Sequence, residues 1–233
     1  MDPQATKGFR ASIAARSRFV EDLVADQIGR GVRQYVILGA GLDTFAQRRP
    51  EIASRLRIWE VDRLGPQAWK RRRLIELGFG VPKWLRFVPV EFEAGESWRE
   101  KIALGGFDAN QPAVVASTGV SMYLTREANL ATLREIAALA PGSVLAMTFI
   151  LPVELAAPKE RAGIEASAKG ARASGTPFIS FFTPEDIQEL AREAGLSRVQ
   201  HISADDLAQR YFAGRTDGLR PPSNDEEFLV AMI

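Results

Sequence analysis

Residues 36–45 read VILGAGLDTF. An apolar run stops at Gly39 and Gly41, and Asp43-Thr44 follows at once. A short apolar run bounded by turn residues reads as a buried strand. Glycines in the turn let the backbone bend sharply and come close to a ligand. In open α/β sheets that place lies beyond the C-terminal ends of the strands, where strand order reverses. A dinucleotide fingerprint, G-x-G-x-x-G, needs a third glycine for close helix packing. Position 44 is Thr, and no G-K-[ST] is present to grip a phosphate. The turn permits close approach without being shaped for a pyrophosphate.

Working outward, LRIWEVD (56–62) reads as a second strand with an acidic end, Asp62, 21 residues beyond Gly41. A carboxylate there can accept hydrogen bonds from both ribose hydroxyls of a nucleoside. A glycine turn and an acidic strand end without a phosphate grip suggest a nucleoside lacking phosphates, of which S-adenosylmethionine is the common example. The alternative is that the glycines only make a tight turn and Asp62 only caps the next helix.

Periodicity places a helix before this unit, over residues 10–30, and another over 66–78 with Pro66 near its start. LRFVPVEF (85–92), PAVVAST (112–118), SVLAMTFIL (143–151), SRVQHIS (197–203) and EEFLVAMI (226–233) read as strands. Helices fall over SWREKIAL, residues 126–140, 153–174 and FTPEDIQELAREAGL, where Thr183 caps, Pro184 opens and Gly195 stops the helix. Strand–helix alternation argues a mainly parallel sheet covered on both faces. The expectation is one domain over residues 1–233. An N-terminal helical extension covers about 1–32, and a lid insertion covers about 151–182.

Hydrophobic residues make up 46% of the 233 positions, enough for a full core, and the formal net charge is +1. Such balance gives no global pull toward nucleic acid or membrane. There are no cysteines, which excludes disulfides, thiolate metal sites and a Cys nucleophile. The single histidine, His201, excludes a multi-His metal site. The N-terminal residues MDPQATKGFR lack the apolar segment of a secretory signal, and no stretch approaches the ~20 apolar residues of a membrane span. These features lead us to expect a cytoplasmic protein. KRRR (70–73) reads as a solvated helix face rather than a nucleic-acid patch, since no aromatic pattern accompanies it.

Together, AARSRFVEDLV, RQYVILGAGLDTFAQR, WEVD and STGVSMYLT resemble the leucine carboxyl methyltransferase-like family, in particular its bacterial branch of S-adenosylmethionine-dependent methyltransferases. The resemblance runs from about residue 10 onward and is most specific at LGAGLDT. It implies the Rossmann-like class I methyltransferase fold: seven strands, mostly parallel, with the last one antiparallel beside the fifth, and helices on both faces. It implies S-adenosylmethionine as cofactor, with Arg16 on the methionyl carboxylate, Gly39, Ala40 and Gly41 in the turn, and Asp62 on the ribose. Glu91 and Phe92 match the family's adenine-binding pair, with Glu in place of the usual Asp. Thr118 stands where leucine carboxyl methyltransferases carry Glu. The resemblance therefore speaks for cofactor and fold rather than for action on a protein's C-terminal leucine.

The expected reaction is O-methylation of a small molecule, with a carboxylate as one acceptor class. A carboxylate is already ionised and needs no base, whereas a hydroxyl needs one. Tyr123, just past the fourth strand, is the candidate to line the methyl site; packing alone is the other reading. Phe178, Phe181 and Phe182 are candidates for an apolar pocket wall, and Arg210 and Tyr211 for pocket closure. His201, in the sixth strand, reads as a core or surface residue. No metal site is expected. The rival readings are a nicotinamide-dependent oxidoreductase and a methyltransferase fold that binds cofactor without catalysis.

Overall fold

The computed structural model describes residues 7–156, 158–222 and 226–233. Among these residues, seven strands form one sheet: β1 (Gln34–Leu38), β2 (Arg57–Asp62), β3 (Leu85–Pro89), β4 (Ala113–Ser117), β5 (Val144–Ile150), β6 (Arg198–Ile202) and β7 (Glu226–Met232). Their order is β3-β2-β1-β4-β5-β7-β6. β1 to β5 run parallel, and β7 runs antiparallel between β5 and β6.

Every residue of β1, β4 and β5 is buried. That is the signature of strands covered on both faces. Alternate residues serve opposite faces. Val36 and Leu38 join the layer built on Trp98, Ile102, Leu133 and Leu190. Tyr35 and Ile37 join the layer with Phe19, Val24, Ile28 and Phe45. The first layer packs under α5 (Trp98–Leu104), α6 (Arg126–Ala137) and α8 (Pro184–Glu193). The second packs under α1 (Lys7–Gly29), α2 (Phe45–Arg48), α3 (Pro50–Ala53) and α9 (Ala204–Phe212). The part of the expected N-terminal extension before residue 7 lies outside the described residues.

The chain steps outward from β1 to β2 and β3, then returns to β4 and steps the other way to β5. Strand order therefore reverses between β1 and β4, which makes their C-terminal ends the expected ligand crevice. Because β7 runs the other way, its first residue, Glu226, lies opposite Ile150, the last of β5. An antiparallel strand thus delivers its N-terminal end to the same edge.

Two local expectations change. α4 (Leu64–Glu76) turns Gln67 and Lys70 inward while Leu64, Trp69 and Ile75 face solvent. Lys70 ion-pairs buried Glu60 on β2, so it departs from the solvated face expected for KRRR; Arg71, Arg72 and Arg73 are exposed. Burial pushes the Glu60 carboxyl up to about 7, against the opposing pull of the Lys70 ammonium. α9 was not expected from the sequence. It starts with a reciprocal cap between Ser203 and Asp206.

Candidate active site

Gly39 and Gly41 both adopt left-handed backbone, with φ of +63° and +47°. An L side chain costs energy there, so glycine is the residue that fits. Gly39 has a second reason. A Cβ built on it would lie 2.3 Å from Val120 Cγ2, because the turn after β1 packs directly on the loop after β4. The two halves of the switch point are pressed together, and only a bare backbone fits between them.

Beside this turn lies a cavity of about 680 Å³. α1 walls it with Arg16, Arg18 and Glu21; the opposite wall is Gly39, Ala40, Gly41, Thr118 and Gly119. Its volume falls within the range of small-molecule sites. Asp62 stands at the end of β2, directly behind the turn. Its Oδ2 accepts the Gly41 N–H at 2.5 Å and its Oδ1 accepts the Arg63 N–H at 2.6 Å. A carboxylate oxygen has two lone pairs, so each keeps capacity for a further donor. Glu91 and Phe92 follow β3, outside the cavity. The Glu91 N–H is held by Glu96, and Phe92 packs on the core. Thr118, Gly39–Gly41, Asp62 and Glu91-Phe92 thus follow β4, β1, β2 and β3 in spatial order along one edge of the sheet.

Arg16 reaches this edge from α1. Its Nη1 donates to both carboxylate oxygens of Glu226, at 2.8 and 2.6 Å. Gly119, at φ +70°, leaves room for it, since a Cβ there would sit 2.9 Å from Nη1. Sequence reasoning missed Glu226 and Gly119. The glycine in STGVS was a visible signal; Glu226, 210 positions from Arg16, carried none.

Tyr123 ends a 3-10 turn, Ser121–Tyr123, and is 40% exposed. Its ring stands edge-on to Phe178, with centroids 5.4 Å apart. Burial raises its hydroxyl pKa above the ordinary value, the Glu226 carboxylate raises it further, and Arg16 opposes them. The hydroxyl therefore stays protonated at neutral pH, a donor rather than a base. Phe178 belongs to the segment that follows α7 (Pro158–Ala173). That segment is pinned under the 3-10 turn: the Ile179 and Ser180 N–H groups donate to the Met122 carbonyl, and Ser180 Oγ donates to Leu124.

Three expected pocket residues lie elsewhere. Phe182 is buried in the core under β5, its N–H donating to the Ile150 carbonyl. Arg210 and Tyr211 bind α9 to α1 instead of closing the cavity. Tyr211 Oη donates to Asp22 at 2.9 Å, and the Arg210 guanidinium lies over the Phe19 ring at 5.5 Å. Both are drawn there by the Asp22 carboxylate on the outer side of α1. His201 pairs with buried Glu227 at 2.7 Å, away from the cavity, and that hydrogen bond raises its pKa.

The sequence profile of the leucine carboxyl methyltransferase family matches residues 1–137. The chain belongs to that family. A Bacillus subtilis protein named "Putative S-adenosyl-L-methionine-dependent methyltransferase YktD" is 34% identical over 206 residues, covering 88% of this chain and 67% of that protein. A Mycobacterium sp. (strain KMS) relative, also named as an S-adenosyl-L-methionine-dependent methyltransferase, is 36% identical over 154 residues. That match covers 63% of this chain and 49% of the relative, so the chain spans about half the length of the mycobacterial relatives it matches. Among solved structures, a DUF574 family protein from Streptomyces avermitilis superposes with a TM-score of 0.70 at 20% identity, covering 96% of this chain and 82% of that one. A methyltransferase-named structure from Thermobifida fusca gives 0.66 at 18% identity, covering 99% and 83%. These likenesses show the fold: the class I methyltransferase sheet with its reversed strand. The leucine carboxyl methyltransferase family is one of S-adenosylmethionine-dependent enzymes, and in this chain a glycine turn stands at the switch point. Among the described residues, no helix is long and apolar enough to cross a membrane.

Proposed function

We propose that this chain transfers the methyl group of S-adenosylmethionine to an oxygen of a small-molecule acceptor, with a carboxylate the favoured class. One observation carries the cofactor half: Arg16, the Gly39–Gly41 turn and Thr118 surround one cavity, with Asp62 bonded to the back of that turn. In this reading Arg16 takes the methionyl carboxylate and the glycine turn passes under the thioether. Asp62 takes the ribose hydroxyls, and Glu91-Phe92 flank the adenine further along the same edge. Neighbouring strands lie about 4.8 Å apart, so the step from β4 to β3 spans about 14 Å. That span suits an extended nucleoside with an amino-acid tail.

The bound cofactor supplies an activated methyl and its leaving group. The protein's work is then to position the acceptor and exclude water. Two observations support a carboxylate acceptor. His201 is committed to Glu227 away from the cavity, and Tyr123 stays protonated. Arg18 and Arg48 also line the cavity, but each is ion-paired to a carboxylate of α1, Asp22 and Glu21 respectively, so the case for a carboxylate acceptor stands on the first two observations. The segment 151–182 fits a lid role: α7 is mostly exposed, and Phe178, in the irregular segment after it, rests against Tyr123.

Calorimetry with S-adenosylhomocysteine tests the cofactor half, with one site per chain expected and lost in Asp62→Ala. A turnover screen over carboxylic acids and phenols tests the acceptor half. No binding of either S-adenosyl compound, together with tight NADH binding, would replace this reading with an oxidoreductase. Binding without turnover of any acceptor class would favour a non-catalytic module.

A further inference from the structure

Arg16 is held from outside its own helix. Its Nη1 donates to both oxygens of Glu226, the first residue of β7. Glu226 Oε1 also takes a short hydrogen bond from Thr148 Oγ1 on β5. Thr148 Oγ1 in turn accepts the Gly119 N–H at 2.7 Å, and Gly119 is the residue whose missing side chain makes room for the Arg16 guanidinium. Four separate segments of the fold, α1, β5, β7 and the loop after β4, converge on one guanidinium. The Arg16 side chain is 23% exposed and that of Glu226 10%.

The pairing uses Nη1. A guanidinium is a rigid planar fork, so fixing Nη1 also fixes the direction of its Nε–Nη2 edge. That edge is one that meets a carboxylate through two parallel hydrogen bonds. A long, flexible arginine that must order itself on binding loses affinity; one already ordered does not.

We propose that Glu226 is a positioning residue for the amino-acid end of the cofactor, orienting Arg16 toward the methionyl carboxylate. The proposal rests on the assignment of Arg16 in the preceding reading. It gives β7 a part in ligand selection: the Thr148–Glu226–Arg16 relay rewards a ligand that carries a carboxylate tail and is indifferent to one that lacks it.

The test compares two ligands on the full chain by calorimetry. S-adenosylhomocysteine carries the amino-acid tail; 5′-methylthioadenosine has the same nucleoside and a thioether but no carboxylate or ammonium. In Glu226→Ala, the Kd for S-adenosylhomocysteine is expected to rise about tenfold, equivalent to about 1.4 kcal/mol. The Kd for methylthioadenosine is expected to change by less than about twofold. Glu226→Gln keeps one acceptor oxygen and the side-chain shape. It is expected to fall between the two, and it serves if the alanine variant melts too low to assay. Arg16→Ala should lose at least as much for S-adenosylhomocysteine, and adding Glu226→Ala to it should cost nothing further. Equal weakening of both ligands, additivity with Arg16→Ala, or tighter binding of S-adenosylhomocysteine overturns the proposal. If the unaltered chain binds neither ligand, the cofactor reading falls and takes this proposal with it. If it binds both but Arg16→Ala keeps full affinity, only the Arg16–Glu226 assignment falls.

Discussion

Replacing Gly39 with alanine separates two reasons for a glycine that are usually merged. The first is backbone conformation: at φ +63° an L residue costs about 1–2 kcal/mol. The second is space. The new Cβ would lie 2.3 Å from Val120 Cγ2, 3.2 Å from Cγ1 and 3.3 Å from Cβ. Val120 is buried and β-branched, so it has few rotamers into which to retreat. Overpacking of this kind costs a further ~1–3 kcal/mol. Gly41→Ala is the internal control. Its φ of +47° imposes a similar backbone cost, but the nearest atom to its Cβ would be the Gly39 carbonyl oxygen at 3.9 Å. We expect Gly39→Ala to lower stability by about 2–5 kcal/mol and Gly41→Ala by about 1–2. Urea unfolding followed by tryptophan fluorescence reads both. In a Val120→Ala background, which removes both methyls but keeps the Cβ at 3.3 Å, the cost of Gly39→Ala should fall most of the way toward that of Gly41→Ala. If the two glycine variants are equally stable, or Val120→Ala gives no relief, the packing of the β1 turn on the β4 loop is not what the contact implies.

Four other outcomes follow from the structure. Lys70→Met removes the cation that favours ionised Glu60, so the buried carboxyl is driven to its protonated form; the cost should grow as pH rises past 7 and should be largely recovered in the Glu60→Gln/Lys70→Met pair, as read by urea unfolding. With Glu60 raised to about 7, the folded state holds that proton more tightly than the unfolded chain. Stability should therefore fall as pH rises from the ordinary glutamate range toward 7, and Glu60→Gln should flatten that slope. His201 is the one imidazole in the chain, so its NMR titration is unambiguous. Its midpoint should lie above 6.5 and drop in Glu227→Gln; its stabilising contribution is present at low pH and is lost as pH rises through the raised pKa. Tyr123→Ala should lower kcat/KM for the acceptor while leaving the S-adenosylhomocysteine Kd within about twofold; equal losses in both would refute an acceptor-side role.

Much of this architecture could be read locally. VILGAGLDTF declared its strand and turn through an apolar run and two glycines. WEVD declared its acidic end, and Thr183-Pro184 declared a helix start that the structure caps as expected. The reversed last strand came through the family resemblance rather than from any periodicity. What stayed hidden depends on distant partners. Nothing in KRRR distinguishes Lys70 from its neighbours, and only the strand beneath, with Glu60 facing it, draws that one cation inward. Arg210-Tyr211 looked like a pocket pair by position, but their destination is set by Asp22, about 190 positions earlier. Phe182 could not be told from Phe178 by composition; one enters the core and the other meets Tyr123. α9 is the exception, because the Ser203–Asp206 spacing is itself a local helix-start signal.

The position of β7 has a consequence for how the molecule comes into being. It follows the other six strands of the sheet in the chain, yet it is an inner one, and among the described residues β6 pairs with no other strand. A nascent chain can assemble β1 to β5 as it emerges, but β6 must wait beside an incomplete sheet until its partner arrives. Glu226 arrives with that partner. Until then Arg16 lacks its carboxylate partner, so that ion pair forms only once β7 has docked between β5 and β6.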